Sequence, residues 1–164
     1  MPDGSGSYTL LGTAYPKLDA KGRFFLPAKM RSELEEGGMV LSRGPEACLI
    51  IEPAQVFWKR VNRQREVAAE AAGATVSRKD RYQEERSQRM WERGSMSESS
   101  AEGWDDQGRV LVPAGLRKYA GLERELFVQG YGDRIEVWDL TAWNELLARL
   151  DAEAKAQQEG DLMA

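Results

Sequence analysis

The chain has 164 residues, one cysteine, no histidine and a net charge of −4, and its length suits one domain or two closely packed halves. The missing histidine excludes Ser-His and Cys-His nucleophilic chemistry and any histidine-containing zinc site. The single Cys48 excludes an internal disulfide and fits a reducing cytosol, and we find neither an apolar run long enough to cross a bilayer nor a secretory signal.

The first half of the chain predicts strands alternating with helices. In order, the predicted elements are a strand at 10–19, a turn at 20–22, a strand at 23–27, a helix at 28–36, strands at 39–43 and 48–52, and a helix at 54–72. Pro16 suits an edge or irregular strand position. Gly22 supplies a turn, and Pro27 suits the first turn of a helix.

The second half repeats this order after a helical insert. Its predicted elements are a helix at 78–93, a polar loop at 94–103, a strand at 109–113, a helix at 114–120, strands at 125–130 and 134–139, and a helix at 140–154. Ser77 with Asp80 resembles a capping box, and Asp139 can cap the last helix. Gly94 is expected to end the insert helix. We expect the first seven and last dozen residues to be frayed.

Two phrases recur at an offset of 86 residues: LDAKGRFFLPAKMR at 18–31 and WDDQGRVLVPAGLR at 104–117. The offset then holds without a gap, so that Gly44 falls on Gly130 and Phe57 on Trp143. Internal repetition decides the architecture. We therefore predict two copies of one supersecondary unit, related by a pseudo-two-fold axis.

The predicted fold class is α+β, built from two pseudo-symmetric β-α-β-β-α repeats with peripheral helices. The predicted boundaries are 8–72 for the first repeat, 73–103 for the helical insert and polar loop, 104–150 for the second repeat, and 151–164 for an acidic flexible tail.

Each repeated phrase contains an Asp-x-x-Gly-Arg turn. Asp19 and Asp105 can accept backbone N–H bonds, and Gly22 and Gly108 can supply an unusual backbone dihedral. A tight turn alone needs no cluster of cations, yet residues 15–32 carry five cations and one acid, a net charge of +4. Residues 132–164 carry three cations and eight acids, so the acidity of the chain is concentrated in its tail.

The double DxxGR…P…R signature, its spacing, and the closing stretches LIIEPAQVFW and IEVWDLTAWNELL resemble the MraZ family of bacterial transcription regulators. The single phrase is similar to the DNA-binding unit of AbrB-like swapped-hairpin proteins. The resemblance implies a double swapped-hairpin β-barrel and a homo-oligomeric ring, which we expect to be an octamer or larger. It also implies binding to short direct repeats in double-stranded promoter DNA of the division and cell-wall gene cluster, usually with repression.

The resemblance places the DNA-contacting turns at residues 19–23 and 105–109. The candidate DNA-binding residues are Lys17, Lys21, Arg23, Lys29, Arg31, Arg109 and Arg117. The guanidinium groups of Arg23 and Arg109 suit bidentate contacts with guanine or phosphate, while lysines suit phosphate. Arg31 recurs as Arg117, so pairing with a carboxylate is an equal alternative for both.

The second phrase is less basic than the first. Gln107 replaces Lys21, Gly115 replaces Lys29, and residues 101–118 carry no net charge. We therefore expect the first turn to dominate DNA contact. Single-site binding would be weak, and a ring would strengthen it through multivalency.

Other interpretations remain open at this stage. A ring-forming scaffold that acts without DNA would suit the acidic balance, and Asp19 with Asp105 could form a carboxylate pair in an enzyme. We expect no enzymatic activity, no metal and no cofactor, and a cytoplasmic, nucleoid-associated protein without membrane contact. Tryptophans such as Trp138 are expected in packing, and Cys48 as a buried, inert thiol.

Overall fold

The computed structural model describes residues 9–34, 37–74, 77–96 and 99–164. The predicted fraying of residues 1–7, the predicted start of the first repeat at residue 8, and the predicted helix end at residues 35–36 lie outside the described residues. The elements, in chain order, are β1 (Thr13–Ala14), β2 (Arg23–Phe25), α1 (Ala28–Leu34), β3 (Met39–Arg43), a 3-10 turn (Pro45–Ala47), β4 (Leu49–Pro53), α2 (Ala54–Ala74), α3 (Arg78–Met96), β5 (Arg109–Leu111), α4 (Ala114–Ala120), β6 (Leu126–Gly130), β7 (Ile135–Asp139) and α5 (Leu140–Met163).

The described residues form a mixed α+β fold with two antiparallel sheets and five α-helices. The larger sheet has the order β1-β6-β7-β4-β3, and β2 and β5 form a separate two-stranded ribbon. The predicted α+β class is therefore confirmed. The predicted caps are also present, because Ser77 accepts amides of α3 and Asp139 accepts the amide of Ala142 at the start of α5.

Two helices are longer than their sequences indicated. The insert helix α3 does not end at Gly94 but continues to Met96, since an exposed glycine inside a helix costs only about 1 kcal/mol relative to alanine. Helix α5 does not end near residue 154 but continues to Met163, and its last turns are exposed. The tail was expected to be frayed, but its Ala, Glu, Lys and Gln residues are strong helix formers.

The opening segments of the two repeats are exchanged between the repeats. β1 of the first repeat pairs with β6 of the second, with Ala14 opposite Val128. The counterpart is Ser100, which lies 86 residues after Ala14 and forms a bridge with Leu41 on β3. Ser100 therefore forms an isolated bridge at the edge of the large sheet, within the segment predicted as a polar loop.

The spacing between equivalent residues of the two repeats is 86 positions, except at β6, where it is 87. Leu41 pairs with Ile51 in the first repeat, and Val128 pairs with Val137 in the second. β4 and β7 keep the offset of 86, but β6 is displaced to 87. The ungapped alignment that placed Gly44 on Gly130 is wrong here, because the connection from α4 to β6 is one residue longer and the turn from β6 to β7 is one residue shorter.

The ribbon of β2 and β5 pairs equivalent positions of the two repeated phrases. Phe24 pairs with Val110, which is also its repeat equivalent, and Arg23 pairs with Leu111 while Phe25 pairs with Arg109. Phe24 and Val110 are each 1% exposed and face the core. Because strand side chains alternate between faces, Arg23, Phe25 and their equivalents lie on the opposite, outer face.

The main core fills the space between this ribbon, the two short helices and the large sheet. It combines ribbon residues such as Leu26 and Val112 with Met30 of α1, Leu116 of α4 and Ile51 of β4. Two smaller clusters cover the other face of the sheet, one beneath α2 and α3 and one beneath α5. The sheet is therefore covered on both faces by helices.

Trp138, Trp143 and Cys48 take the packing roles expected of them. Trp143 stacks on Phe127 with ring centroids 4.3 Å apart, and Trp138 is buried. Trp58 is 49% exposed, and its ring meets Phe57 edge-on with centroids 5.1 Å apart. Cys48 is fully buried, and desolvation raises the pKa of its thiol to about 12, which keeps it protonated and unreactive.

The burial of Phe24 in the ribbon generates a stability prediction. Phe24→Ala should lower the free energy of unfolding by about 3–5 kcal/mol, because it opens a cavity between the repeats. Phe25→Ala is the matched control, since Phe25 is 58% exposed and its loss should change stability by less than about 0.5 kcal/mol. Chemical denaturation measures both values. Equal costs for the two variants would contradict the assigned faces of the ribbon.

Candidate nucleic-acid interface

The first Asp-Gly-Arg turn connects β1 to β2 and is closed by the Asp19 carboxylate. Oδ1 of Asp19 accepts the amides of Lys21 and Arg23, each at 2.9 Å. Oδ2 accepts the Arg23 Nε at 2.9 Å. Gly22 has a φ of +80°, which is costly for any residue with a Cβ. The carboxylate thus fixes the turn backbone and the arginine side chain together.

The second turn has nearly the same geometry. Oδ1 of Asp105 accepts the amides of Gln107 at 3.0 Å and Arg109 at 2.9 Å, and Oδ2 accepts the Arg109 Nε at 2.9 Å. Gly108 has a φ of +81°. The Asp carboxylate and the positive-φ glycine therefore recur with the same geometry in both turns, and the turns differ in their exposed side chains.

Hydrogen bonding lowers the pKa of both aspartates. The leading cause for Asp19 is the bond from the Arg23 amide, and for Asp105 it is the bond from the Arg109 amide. Both carboxyl groups are ionised at neutral pH. A general acid would need a raised pKa instead, so neither carboxyl group suits that role.

Each turn is also hydrogen-bonded to the opposite repeat. The Gly22 carbonyl accepts the Val112 amide at 2.8 Å, and the Gly108 carbonyl accepts the Leu26 amide at 3.1 Å. These donors stand just beyond the ends of β5 and β2. Each turn is therefore built partly from the repeat that does not contain it.

Arg117 packs against the first turn, and Arg31 packs against the second. A Cβ placed on Gly22 would lie 2.8 Å from the Arg117 Cζ, and one on Gly108 would lie 2.7 Å from the Arg31 Cζ. Among the described residues no carboxylate pairs with either arginine, while Arg31 Nε donates to the Leu26 carbonyl at 3.0 Å. Their packing gives both arginines a structural role, and direct DNA contact by them stays a prediction.

Arg23 and Arg109 lie on the outer face of the ribbon and are half-buried. Their side chains are 25% and 22% exposed. The Nε atoms are engaged by the aspartates, and within the described part of the chain the Nη atoms have no acceptor. Each guanidinium is thus oriented by one edge and offers its other edge to a ligand.

The lysines around the first turn are all exposed. Lys17 precedes the turn, Lys21 lies within it and Lys29 opens α1, and none forms an ion pair with another described residue. The equivalents of the last two, Gln107 and Gly115, are uncharged. The two turns therefore share one backbone but differ in electrostatic potential.

Two groups at this surface escaped the sequence analysis. Phe25 and Leu111 are 58% and 47% exposed and stand beside the arginines on the outer face of the ribbon. Apolar residues in a strand pattern favour burial, so no local pattern indicated that these two side chains are exposed. Their exposure follows from the pairing of β2 with β5, which sequence patterns did not predict.

Other kinds of site find no support in the described residues. They contain no group of three or more Cys, Asp or Glu residues placed to hold a metal ion. None of the helices in the described ranges is both long enough and apolar enough to span a bilayer.

The fold and this surface define a class of protein. It is a two-turn protein in which each Asp-Gly-Arg turn is hydrogen-bonded to the other half of the chain, with an arginine of each turn on a short antiparallel ribbon. Comparison with known sequences identifies the particular family. The sequence model described as "MraZ protein, putative antitoxin-like" matches residues 9–79 and 98–163.

Curated relatives support the same assignment. A protein named "Transcriptional regulator MraZ" from Micrococcus luteus is 44% identical over 142 residues, covering 87% of this chain and 89% of the relative. A protein of that name from Cutibacterium acnes is 44% identical, covering 82% and 84%, and one from Arthrobacter sp. is 45% identical, covering 84% and 87%. The chain belongs to the MraZ family. The stretch left unmatched by the family model, 80–97, contains most of α3.

The packing of Arg117 on Gly22 yields a prediction of energetic coupling. Gly22→Ala should destabilise the protein by at least about 1–2 kcal/mol, the cost of a left-handed backbone for a residue with a Cβ. The cost should be smaller in an Arg117→Ala background, where the added methyl group meets no guanidinium. Unfolding free energies of the single and double variants measure this coupling.

Gly160→Ala is the control for that series, because Gly160 lies in exposed α5 and no atom would crowd its Cβ. It should be neutral or stabilising. Additive effects of Gly22→Ala and Arg117→Ala would show that the arginine does not press on the turn.

The lowered aspartate pKa values predict a pH dependence. Because the folded-state pKa of Asp19 lies below its ordinary value of 3.8, its ionised form stabilises the fold above that pH, and this contribution is lost as the pH falls through the lowered value. Asp19→Asn should lower the melting temperature at pH 7 and make its decline below pH 4 shallower. Thermal unfolding from pH 2 to pH 7 measures this difference.

Asp106→Asn is the control for the pH series, since Asp106 is exposed beside the second turn and makes no hydrogen bond to another described residue. Its melting curve should follow that of the unsubstituted protein. If Asp19→Asn also followed it at every pH, the carboxylate would not be stabilising the turn.

Proposed function

We propose that this protein is a sequence-specific, double-stranded DNA-binding transcriptional regulator without enzymatic activity. The observation that carries the proposal is the outer face of the ribbon, where Arg23 and Arg109 are held by aspartates with their Nη atoms available. The relatives named transcriptional regulators support the same function. In this proposal the target is promoter DNA of the division and cell-wall gene cluster, and the protein represses it.

The shape of the ribbon suits a groove of DNA. A two-stranded antiparallel ribbon fits the major groove, and an arginine there can bind guanine through two hydrogen bonds. Orienting each guanidinium in advance lowers the entropy lost on binding. We propose that the interleaved repeats act as a double swapped-hairpin barrel whose rigid body carries this ribbon, and that the protein is cytoplasmic and associated with the nucleoid.

The charge difference between the turns supports unequal contributions of the two turns to DNA binding. Lys17, Lys21 and Lys29 provide phosphate contacts around Arg23, whereas Arg109 has no equivalent of Lys21 or Lys29. A DNA-binding surface with two unequal turns binds in one orientation along the DNA. That property favours direct repeats over palindromes as targets.

Self-association completes the proposal. One chain offers few cations, so a single contact would be weak and salt-sensitive. A ring of eight or more copies that meets repeated DNA boxes would raise the effective concentration of every contact after the first. The first turns of α5 pack on the face of the large sheet opposite to the ribbon, so the acidic tail leaves the fold from that side in this proposal.

A ring-forming scaffold without DNA binding is the second candidate. Exposed Leu147 and Leu150 on α5 favour it, because they could pack against another copy or a protein partner. Gel shift with the DNA upstream of the protein's own gene separates the two functions. A scaffold would leave that DNA unshifted while remaining assembled.

Matched arginine variants test the proposed function. Arg23→Ala should abolish specific binding, whereas Arg109→Ala should weaken it less, because the two substitutions remove the same aspartate contact but in different electrostatic surroundings. Lys21→Gln copies the second turn into the first and should reduce the slope of log affinity against log salt by about one unit. Fluorescence anisotropy on promoter duplexes measures affinity, and sedimentation should find every variant assembled as before.

Unchanged promoter affinity after Arg23→Ala would refute the assigned contact. Equal losses in the two arginine variants would refute the dominance of the first turn. Binding that is indifferent to salt would remove the phosphate contacts from the proposal.

A further inference from the structure

The outer face of the ribbon carries two large apolar side chains that the fold does not use. Phe25 is 58% exposed and Leu111 is 47% exposed, although the neighbouring Phe24 and Val110 are almost completely buried. Burial of apolar surface is favourable by about 25 cal/mol per Å². Side chains of this size on a three-residue strand pair are therefore available to stabilise a complex.

Strand register places these apolar groups beside the arginines. Phe25 stands opposite Arg109, and Leu111 stands opposite Arg23. Each guanidinium thus has an apolar neighbour across the ribbon, and the four side chains alternate in a chequered pattern. A ligand that covers this face must offer hydrogen-bond acceptors or negative charge next to exposed hydrocarbon.

We propose that Phe25 and Leu111 read thymine through its 5-methyl group, and so determine part of the base specificity of this protein. This inference rests on the proposed DNA-binding function. In the major groove thymine alone of the four bases presents a methyl group, and apolar side chains make contact with it. The neighbouring acceptors on bases and phosphates are the partners that Arg23 and Arg109 require.

The spacing of the two residues agrees with the spacing of stacked bases. The register offsets Phe25 from Leu111 by two residues along the ribbon, which corresponds to about 6.7 Å at the rise of an antiparallel strand. Two base steps of DNA span about 6.8 Å along one strand. The two side chains therefore address thymines about two steps apart where the ribbon follows the groove.

The thymine contacts of Phe25 and Leu111 are unequal, and the stronger one belongs to the more basic repeat. Phe25 is the larger and more exposed of the pair, and it belongs to the repeat that carries Lys21. The thymine it reads should contribute more to affinity than the one read by Leu111.

A second copy of the chain is a less suitable occupant of this face. A two-fold contact between two such ribbons would bring four arginines together, and the repulsion of like charges opposes that arrangement. DNA supplies the complementary charge. Self-association through the ribbon is nevertheless a distinct result that the experiment detects.

The test removes single methyl groups from DNA. The full-length protein selects a duplex from a random-sequence pool, and each thymine of that duplex is then replaced in turn by deoxyuridine, which lacks only the methyl group. Binding of the unsubstituted protein should weaken about fourfold at one or two positions, the value of one buried methyl-sized group. Phe25→Ala should abolish the sensitivity at one of those positions and retain it elsewhere, and Leu111→Ala should do so at the other.

Leu11→Ala is the matched control, because Leu11 is 55% exposed and lies outside the ribbon. It should keep the full pattern of thymine sensitivity. Identical patterns for Phe25→Ala and the unsubstituted protein would overturn the inference, as would loss of assembly in Phe25→Ala with an unchanged pattern. Failure of the unsubstituted protein to enrich any duplex would instead overturn the proposed function, and this inference with it.

Discussion

Each turn of this protein depends on an arginine that belongs to the other repeat. Arg117 packs against Gly22, Arg31 packs against Gly108, and each glycine carbonyl accepts an amide from the opposite strand end. A Cβ would meet the guanidinium, and the positive φ adds a second reason for glycine. Because the support is reciprocal, each repeat adds contacts that stabilise the turn of the other.

Because of this mutual support, the backbone shape of the turns does not depend on their exposed side chains. The two turns have nearly identical hydrogen-bond distances although Lys21 is replaced by Gln107. The backbone is fixed by Asp, Gly and the arginine behind each turn, so exposed side chains can vary without disturbing it. One chain therefore presents two turns of the same backbone shape, of which only the first is surrounded by positive charge. A symmetric pair of identical units would carry the same charge at both turns.

Much of this organisation could be predicted from the sequence. The Asp-x-x-Gly-Arg pattern indicated the turn because its interactions span only five residues, and Pro27, Ser77 and Asp139 marked helix starts for equally local reasons. The end of α5 and the continuation of α3 through Gly94 were misjudged, because local signals compete there with helix propensity summed over several turns. The one-residue slip of β6 was missed because loop lengths leave little trace in a repeat pattern.

The sequence by itself determined the existence of two repeats, the local geometry of their turns and the concentration of positive charge around the first. The tertiary structure alone decided that β1 and Ser100 cross to the opposite repeat, that Arg31 and Arg117 support the turns, and that Phe25 and Leu111 face outward. The physical reason is distance along the chain. Interactions within a few residues are encoded in local patterns. Contacts between residues 59 to 116 positions apart depend instead on how complementary surfaces pack, and no local pattern specifies that packing.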